Sequence, residues 1–254
     1  MKNHKIFLKS LLMFICIAST TMAQIKTDAL MYGVYINKEV NTDAWKAAVL
    51  ELTSALSKTP NDHQARVKLA IAQFGLLNAS MRNHNEDLFD EYYDEHIRLV
   101  KSLIDSDKKW AEPPALLSSA YGLKIGFSPM QGMFLGQKCG NLIEKAKILN
   151  PNYALVWKVY GNSKFFTPEM WGGDLDEAII SYEKCIQLYE LKPDELKHNW
   201  MYLDALVYPG RAYAKSGDTS RALVTYEKAL KAEPDFAWVK YSLLPKAKVK
   251  AQGK

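Results

Sequence analysis

The chain is short of the residue types from which most catalytic sites are made. Its 254 residues include 5 histidines and 3 cysteines. None of His63, His84, His96 and His198 has a second His or Cys at the spacing of a zinc site. No glycine-rich loop opens a helix after a strand, no GxSxG elbow is present, and no convincing strand can be read anywhere. A metal site could be assembled from Asp90, Glu91, Asp94 and His96, but such a helix ordinarily faces water and the Glu-x-x-His pairs of di-iron bundles are absent. No catalytic residue, metal ligand or cofactor is therefore assigned, and the chain is not expected to be an enzyme.

Long apolar runs are also scarce. Beyond the first 23 residues no segment is long and apolar enough to cross a bilayer. Those 23 have the three parts of an export signal: Lys2, Lys5 and Lys9, then the apolar run from Leu11 to Ala18, then the small-residue pattern Thr21, Met22, Ala23. Cleavage is expected between Ala23 and Gln24, leaving a periplasmic or secreted protein. Ile15 stands before Cys16 where a lipoprotein signal needs a small residue, so no lipid anchor is expected. Removing the leader takes away three lysines and no acid, which lowers the formal charge from +5 to +2. A nearly neutral chain argues against nucleic acid as a partner, because phosphate backbones demand concentrated Lys and Arg. The remaining charge is uneven, with acids crowded from Glu86 to Glu95 and lysines in the stretch 246–254, expected to be a frayed basic tail.

What the chain does have is a repeat. Tyr121, Gly122, Phe127, Pro129, Glu144, Lys145 and Leu149 recur 39 positions later as Tyr160, Gly161, Phe166, Pro168, Glu183, Lys184 and Leu188. A fixed period of this size marks a supersecondary unit that buries its apolar face only by stacking on its neighbours. A further unit has Leu206, Gly210, Ala212, Tyr213, Gly217, Asp218, Ala222, Tyr226, Ala229, Leu230 and Pro234. Its small residues allow two antiparallel helices to approach closely, the larger ones fill the space beside them, and Gly217 with Asp218 makes the turn.

This pattern resembles the tetratricopeptide repeat, a helix–turn–helix of roughly 34 residues. The resemblance implies an all-α, right-handed α-α solenoid over residues 24–245, with its clearest units at 115–151, 154–190 and 203–236. Upstream, Ala48, Leu52 and Ala55 mark a second helix, Leu69, Ala70 and Phe74 a first helix, and 86–105 an amphipathic helix. About four helical pairs and a closing helix after Pro234 are expected. Cys139 and Cys185 fall seven positions out of step on adjacent second helices, about 10 Å of helix rise. A bridge needs Cα atoms within about 7 Å, so both are expected to be buried free thiols.

Two units depart from the family alike. Gly122 to Cys139 and Gly161 to Ala178 each span 17 positions where Gly210 to Ala222 spans 12. The inserted turns read FSPMQGM from Phe127 and FTPEMWG from Phe166, and each proline stops a first helix. Phe127 and Phe166 are expected to pack under the turns as pins. The alternative is an apolar lip of Met130, Met133, Phe134, Met170 and Trp171, as in envelope proteins of this kind that accompany solute transport.

The resemblance also implies a function: a noncatalytic scaffold that binds a peptide or protein partner on the concave face lined by first helices. Accessory binding of a small-molecule ligand in envelope transport is the alternative. Lys158 and Asn162 match first-helix positions that hold a partner's terminal carboxylate in peptide-clamping members. Arg211 and Lys215 lie one unit later on the same side, and Phe165 supplies an apolar contact. A carboxylate held by such groups gains charge-assisted hydrogen bonds, so acidic or C-terminal peptides are the expected ligands.

Overall fold

The computed structural model describes residues 27–37 and 41–253. The expected leader and its cleavage point lie outside the described residues. Among these residues there are eleven helices and no strand. Helix α1 covers 27–36, followed by α2 (Thr42–Lys58), α3 (His63–Arg82), α4 (Glu86–Ser106) and α5 (Glu112–Phe127). Then come α6 (Gly132–Leu149), α7 (Ala154–Phe166), α8 (Leu175–Glu190), α9 (Trp200–Ser216), α10 (Thr219–Ala232) and α11 (Leu244–Gln252).

Local chemistry starts and stops these helices. Asn41, Asp62, Asn85, Asp174, Asn199 and Asp218 each accept hydrogen bonds from amides of the following first turn. Pro113 and Pro114 open α5, where a missing amide hydrogen costs nothing. Gly217 closes α9 in the left-handed region, at φ 89°.

Successive helices pack as antiparallel pairs, α3 with α4 through α9 with α10, and the pairs stack into a right-handed α-α solenoid. First helices α3 and α9 are buried nearly all round, whereas second helices α4 and α10 bury only a stripe. Close approach follows the small residues. A Cβ on Gly161 would come within 2.6 Å of the Tyr182 ring, and one on Gly210 within 2.5 Å of Tyr226. Gly75 does the same for Trp45 of α2.

Two features exceed the expected plan. The basic stretch after Lys246 is helical to Gln252 rather than frayed, with Ala247 buried and Lys250 donating to the Ala214 carbonyl at 3.2 Å. The array also begins one helix earlier, because α1 precedes α2. Asp28 of α1 pairs with Lys68 of α3 at 2.6 Å, while Tyr32 donates to Glu233, just past α10, at 2.8 Å. One short helix thus touches both ends of the solenoid. Arg82, at the end of α3, lies 4.7 Å from the Trp238 ring, so the two ends also meet directly.

Cys139 and Cys185 are unbridged, Cys185 buried and Cys139 half-buried. Burial pushes their thiols up, to about 11 at Cys139 and about 12 at Cys185. His96 turns into the core with neither ring nitrogen bonded, and burial holds it down at about 3. The acids considered with it face outward instead: Asp90 pairs with Lys124 at 2.6 Å and Glu91 with Lys46 at 3.9 Å.

Candidate functional site

The five residues implied as a carboxylate clamp do come together, on α7 and α9, but in two different environments. Lys158 is 2% exposed and forms an ion pair with Asp204 of α9, also buried. The ammonium stands 4.9 Å from the Tyr208 ring. Burial works against its charge, yet Asp204 and Tyr208 together hold its pKa above the ordinary lysine value. Asp204 accepts a second contact from the Tyr35 hydroxyl of α1. Burial and that carboxylate push the phenol well above its usual range, so it stays a neutral donor. Lys158 is therefore neither a solvated residue nor free to meet a ligand, because its charge is consumed inside the protein. Asn162 is likewise engaged, accepting the Tyr182 hydroxyl at 2.9 Å.

The other three residues line an open mouth beside this buried pair. Phe165 is buried, with its ring 4.8 Å from Phe166 and 6.4 Å from Tyr208. Arg211 lies over a cluster of rings: Tyr208 at 5.0 Å, Phe165 at 5.3 Å, Phe166 at 5.6 Å and Trp238 at 5.6 Å. Lys215 donates to the Phe165 carbonyl at 3.2 Å and reaches that ring at 4.9 Å. Arg82 arrives from the far end of the array onto the same Trp238. Neither arginine nor Lys215 makes an ion pair among the described residues. Two guanidinium groups over one indole, with aromatic faces around them, make a cationic mouth able to take an anion.

The pins behave unequally. Phe127 is half-buried against Phe89, at 4.6 Å between ring centres, as a structural contact should be. Phe166 is 58% exposed, so it does not pack beneath its turn. The reason is the neighbouring Phe165, which takes the buried place and leaves Phe166 edge-to-face with it at the rim, near Arg211. Met130, Met170 and Trp171 on the two inserted turns and Met133 and Phe134 in the first turn of α6 are all exposed.

Asp204, Tyr35, Arg82 and Trp238 were not singled out from the sequence. Asp204 and Lys158 carried a readable signal, since each is the one charge within an apolar helical run, WMYLDALVY and ALVWKVY. Arg82 and Trp238 carried none, because only closure of the array brings them together.

The profile of the tetratricopeptide repeat matches residues 172–190 and 210–236. The array is an α-α solenoid of TPR-like helix pairs. Among solved structures, this solenoid is similar to a thermophilic TPR protein of Thermus thermophilus, with 16% identity, 83% of this chain and 92% of that one covered, and a TM-score of 0.56. It is equally similar to the HusA haemophore of Porphyromonas gingivalis, with 16% identity, 72% and 94% covered, and a TM-score of 0.56. Both likenesses concern the fold. Among curated protein sequences nothing matches the solenoid. Among the described residues no arrangement of side chains indicates catalysis, and no described helix is long and apolar enough to cross a membrane.

Proposed function

We propose that this solenoid is a noncatalytic scaffold that binds a protein or peptide partner through a carboxylate, at the mouth formed by Arg82, Arg211, Lys215 and Trp238. The observation that supports this reading is the pair of arginines sharing one indole without any acidic partner among the described residues. A carboxylate entering there gains charge-assisted hydrogen bonds from a fork-shaped donor, and the surrounding rings exclude water from them. The clamp first read at Lys158 and Asn162 is thereby moved one layer outward, keeping Arg211, Lys215 and Phe165.

A fluorescent acidic peptide with a free C-terminal carboxylate tests the proposal by anisotropy. The Arg82→Gln, Arg211→Gln double variant is expected to melt with the parent and bind at least about tenfold more weakly, since a charged hydrogen bond is worth about 1.5–3 kcal/mol. Added salt should weaken binding to the parent. Affinity that survives both changes sinks the reading.

A second reading, capture of a small apolar ligand in envelope transport, is favoured by the exposed side chains of the two inserted turns. The architecture is shared with a protein described as a haemophore, at the level of fold alone. A hydrophobic dye whose binding is lost in a Met170→Ser, Trp171→Ser variant, but kept in the double arginine variant, would favour it.

We also propose that the protein is exported, because the three-part leader ends at Ala23. The intact mass of protein recovered from its native envelope fraction is expected to begin at Gln24. A mass retaining Met1–Ala23, or one carrying a lipid, rejects export by this route.

A further inference from the structure

We infer that the inner channel of the solenoid is a receptor for an amphipathic, tyrosine-bearing helix, and that residues 27–36 of the chain itself are its resident, displaceable ligand. Helix α1 lies against both core clusters, through Met31 and its flanking side chains on one and through Tyr32, Tyr35 and Ile36 on the other, as a bound peptide bridges two walls of a groove. Its side chains are mostly half-buried, and Met31 is the single large apolar one that is fully buried. Three polar handles hold the rest. Asp28 meets Lys68 on α3, Tyr32 meets Glu233 past α10, and Tyr35 delivers its hydroxyl to Asp204 on α9. The rings add to these: Tyr32 lies 5.5 Å from His198, and Tyr35 lies 5.3 Å from Trp200 and 5.4 Å from Phe236.

The buried charges of the receptor do not depend on its ligand. Lys158 and Asp204 pair with each other across α7 and α9, so withdrawing Tyr35 leaves no unpaired charge behind. The ligand, by contrast, is not stable alone. A helix of about ten residues falls below the length at which isolated helices persist in water, and Gly33 weakens it further. A Cβ at Gly33 would meet nothing, so close packing is not what keeps glycine there. Docking and folding of α1 are therefore one event, of the kind found in helix-in-groove recognition, where anchors at i, i+3 and i+4 carry specificity. Asp28, Met31, Tyr32 and Tyr35 supply that pattern, at i, i+3, i+4 and i+7, and a partner helix presenting it would compete for the same channel. This inference does not rest on the anion-binding mouth, which uses other residues.

The test keeps the whole chain. Hydrogen exchange followed by mass spectrometry should show the amides of α1 exchanging at least about a hundredfold faster than those of α7 and α9, as expected of a locally opening segment. Tyr35→Phe should speed exchange in α1 a further tenfold and leave α7 and α9 unchanged. A resident segment competes at high effective concentration, so the trans probe is offered to a weakened chain. A labelled peptide of residues 27–37 is expected to bind the Tyr32→Phe, Tyr35→Phe chain at least tenfold more tightly than the parent, and a peptide with both tyrosines changed to Phe should not bind. Exchange of α1 only together with α7 and α9, or no saturable binding of the peptide, would overturn the inference and make α1 an ordinary core helix.

Discussion

Gly122 and Gly161 hold the same place in two units 39 residues apart, and only the second is sterically required where it stands. A Cβ on Gly161 would strike Tyr182, while one on Gly122 would meet no atom within 4 Å. The cause is the residue opposite: Tyr182 of α8 is replaced in α6 by Ile143, which leaves a gap beside the glycine. The same contrast runs through both units. Helix α8 buries seven residues, α6 only Ile143 and Ala146. The second inserted turn closes through Gly172 at φ 93° and restarts at the Asp174 cap, whereas the first runs straight into α6 at Gly132. Identical signature residues therefore do not guarantee identical packing. The larger residue they face decides how tightly the helices close.

The largest difference between the units should appear at Ser119 and Lys158, which share a register position. Lys158→Ala leaves Asp204 buried without its cation and is expected to cost about 3–5 kcal/mol in chemical denaturation, the range for breaking one side of a buried pair. Ser119→Ala should cost under about 1 kcal/mol, because Ser119 is half-buried and carries no charge. Comparable losses would mean that the buried pair does not distinguish the units.

A second contrast is set by pH, through Glu112 at the start of α5. Burial raises its carboxyl to about 7, partly offset by a hydrogen bond with Tyr153 just before α7. The folded form then binds more protons than the unfolded one between about 4.5 and 7. Stability from this group accordingly falls as pH rises through that window, by about 3 kcal/mol in all. Glu112→Gln is expected to gain most of that at pH 8 and little at pH 4.5. The difference between parent and variant is the measurement, since His96 imposes the opposite slope, losing stability as pH falls from 6.5 toward about 3. A difference that stays flat across pH discards the assignment.

The smallest effects belong to the glycines themselves. Gly161→Ala should lose roughly 1–3 kcal/mol through overpacking against Tyr182. Gly122→Ala should gain about 0.5–1 kcal/mol, because alanine costs less helix entropy and meets no obstacle. Thermal midpoints moving in the same direction would erase the distinction.

The helix pairs from α5 to α10 were legible in the sequence because small residues at fixed spacing are a local signal of close approach. The inserted turns were legible too, since proline and glycine act on their own backbone. What escaped was contact between units that no period relates. The Lys158–Asp204 pair spans 46 positions and the Tyr32–Glu233 bond spans 201, so neither follows from a 39-residue repeat. Lys158 was expected to meet a ligand because its register position lines the concave face of an open solenoid, whereas here it is buried against Asp204, with the Tyr35 hydroxyl of α1 on the same carboxylate. Arg82 and Trp238 stayed invisible for the same reason.

An open solenoid loses order first at its termini, where a unit has one neighbour instead of two. Here the terminal units are neighbours of each other, through Arg82 on Trp238 and through the α1 hydroxyls that reach Asp204 and Glu233. The resident helix α1 is then a latch: while it is docked it ties the first units to the last, and its release frees them without unfolding the units between.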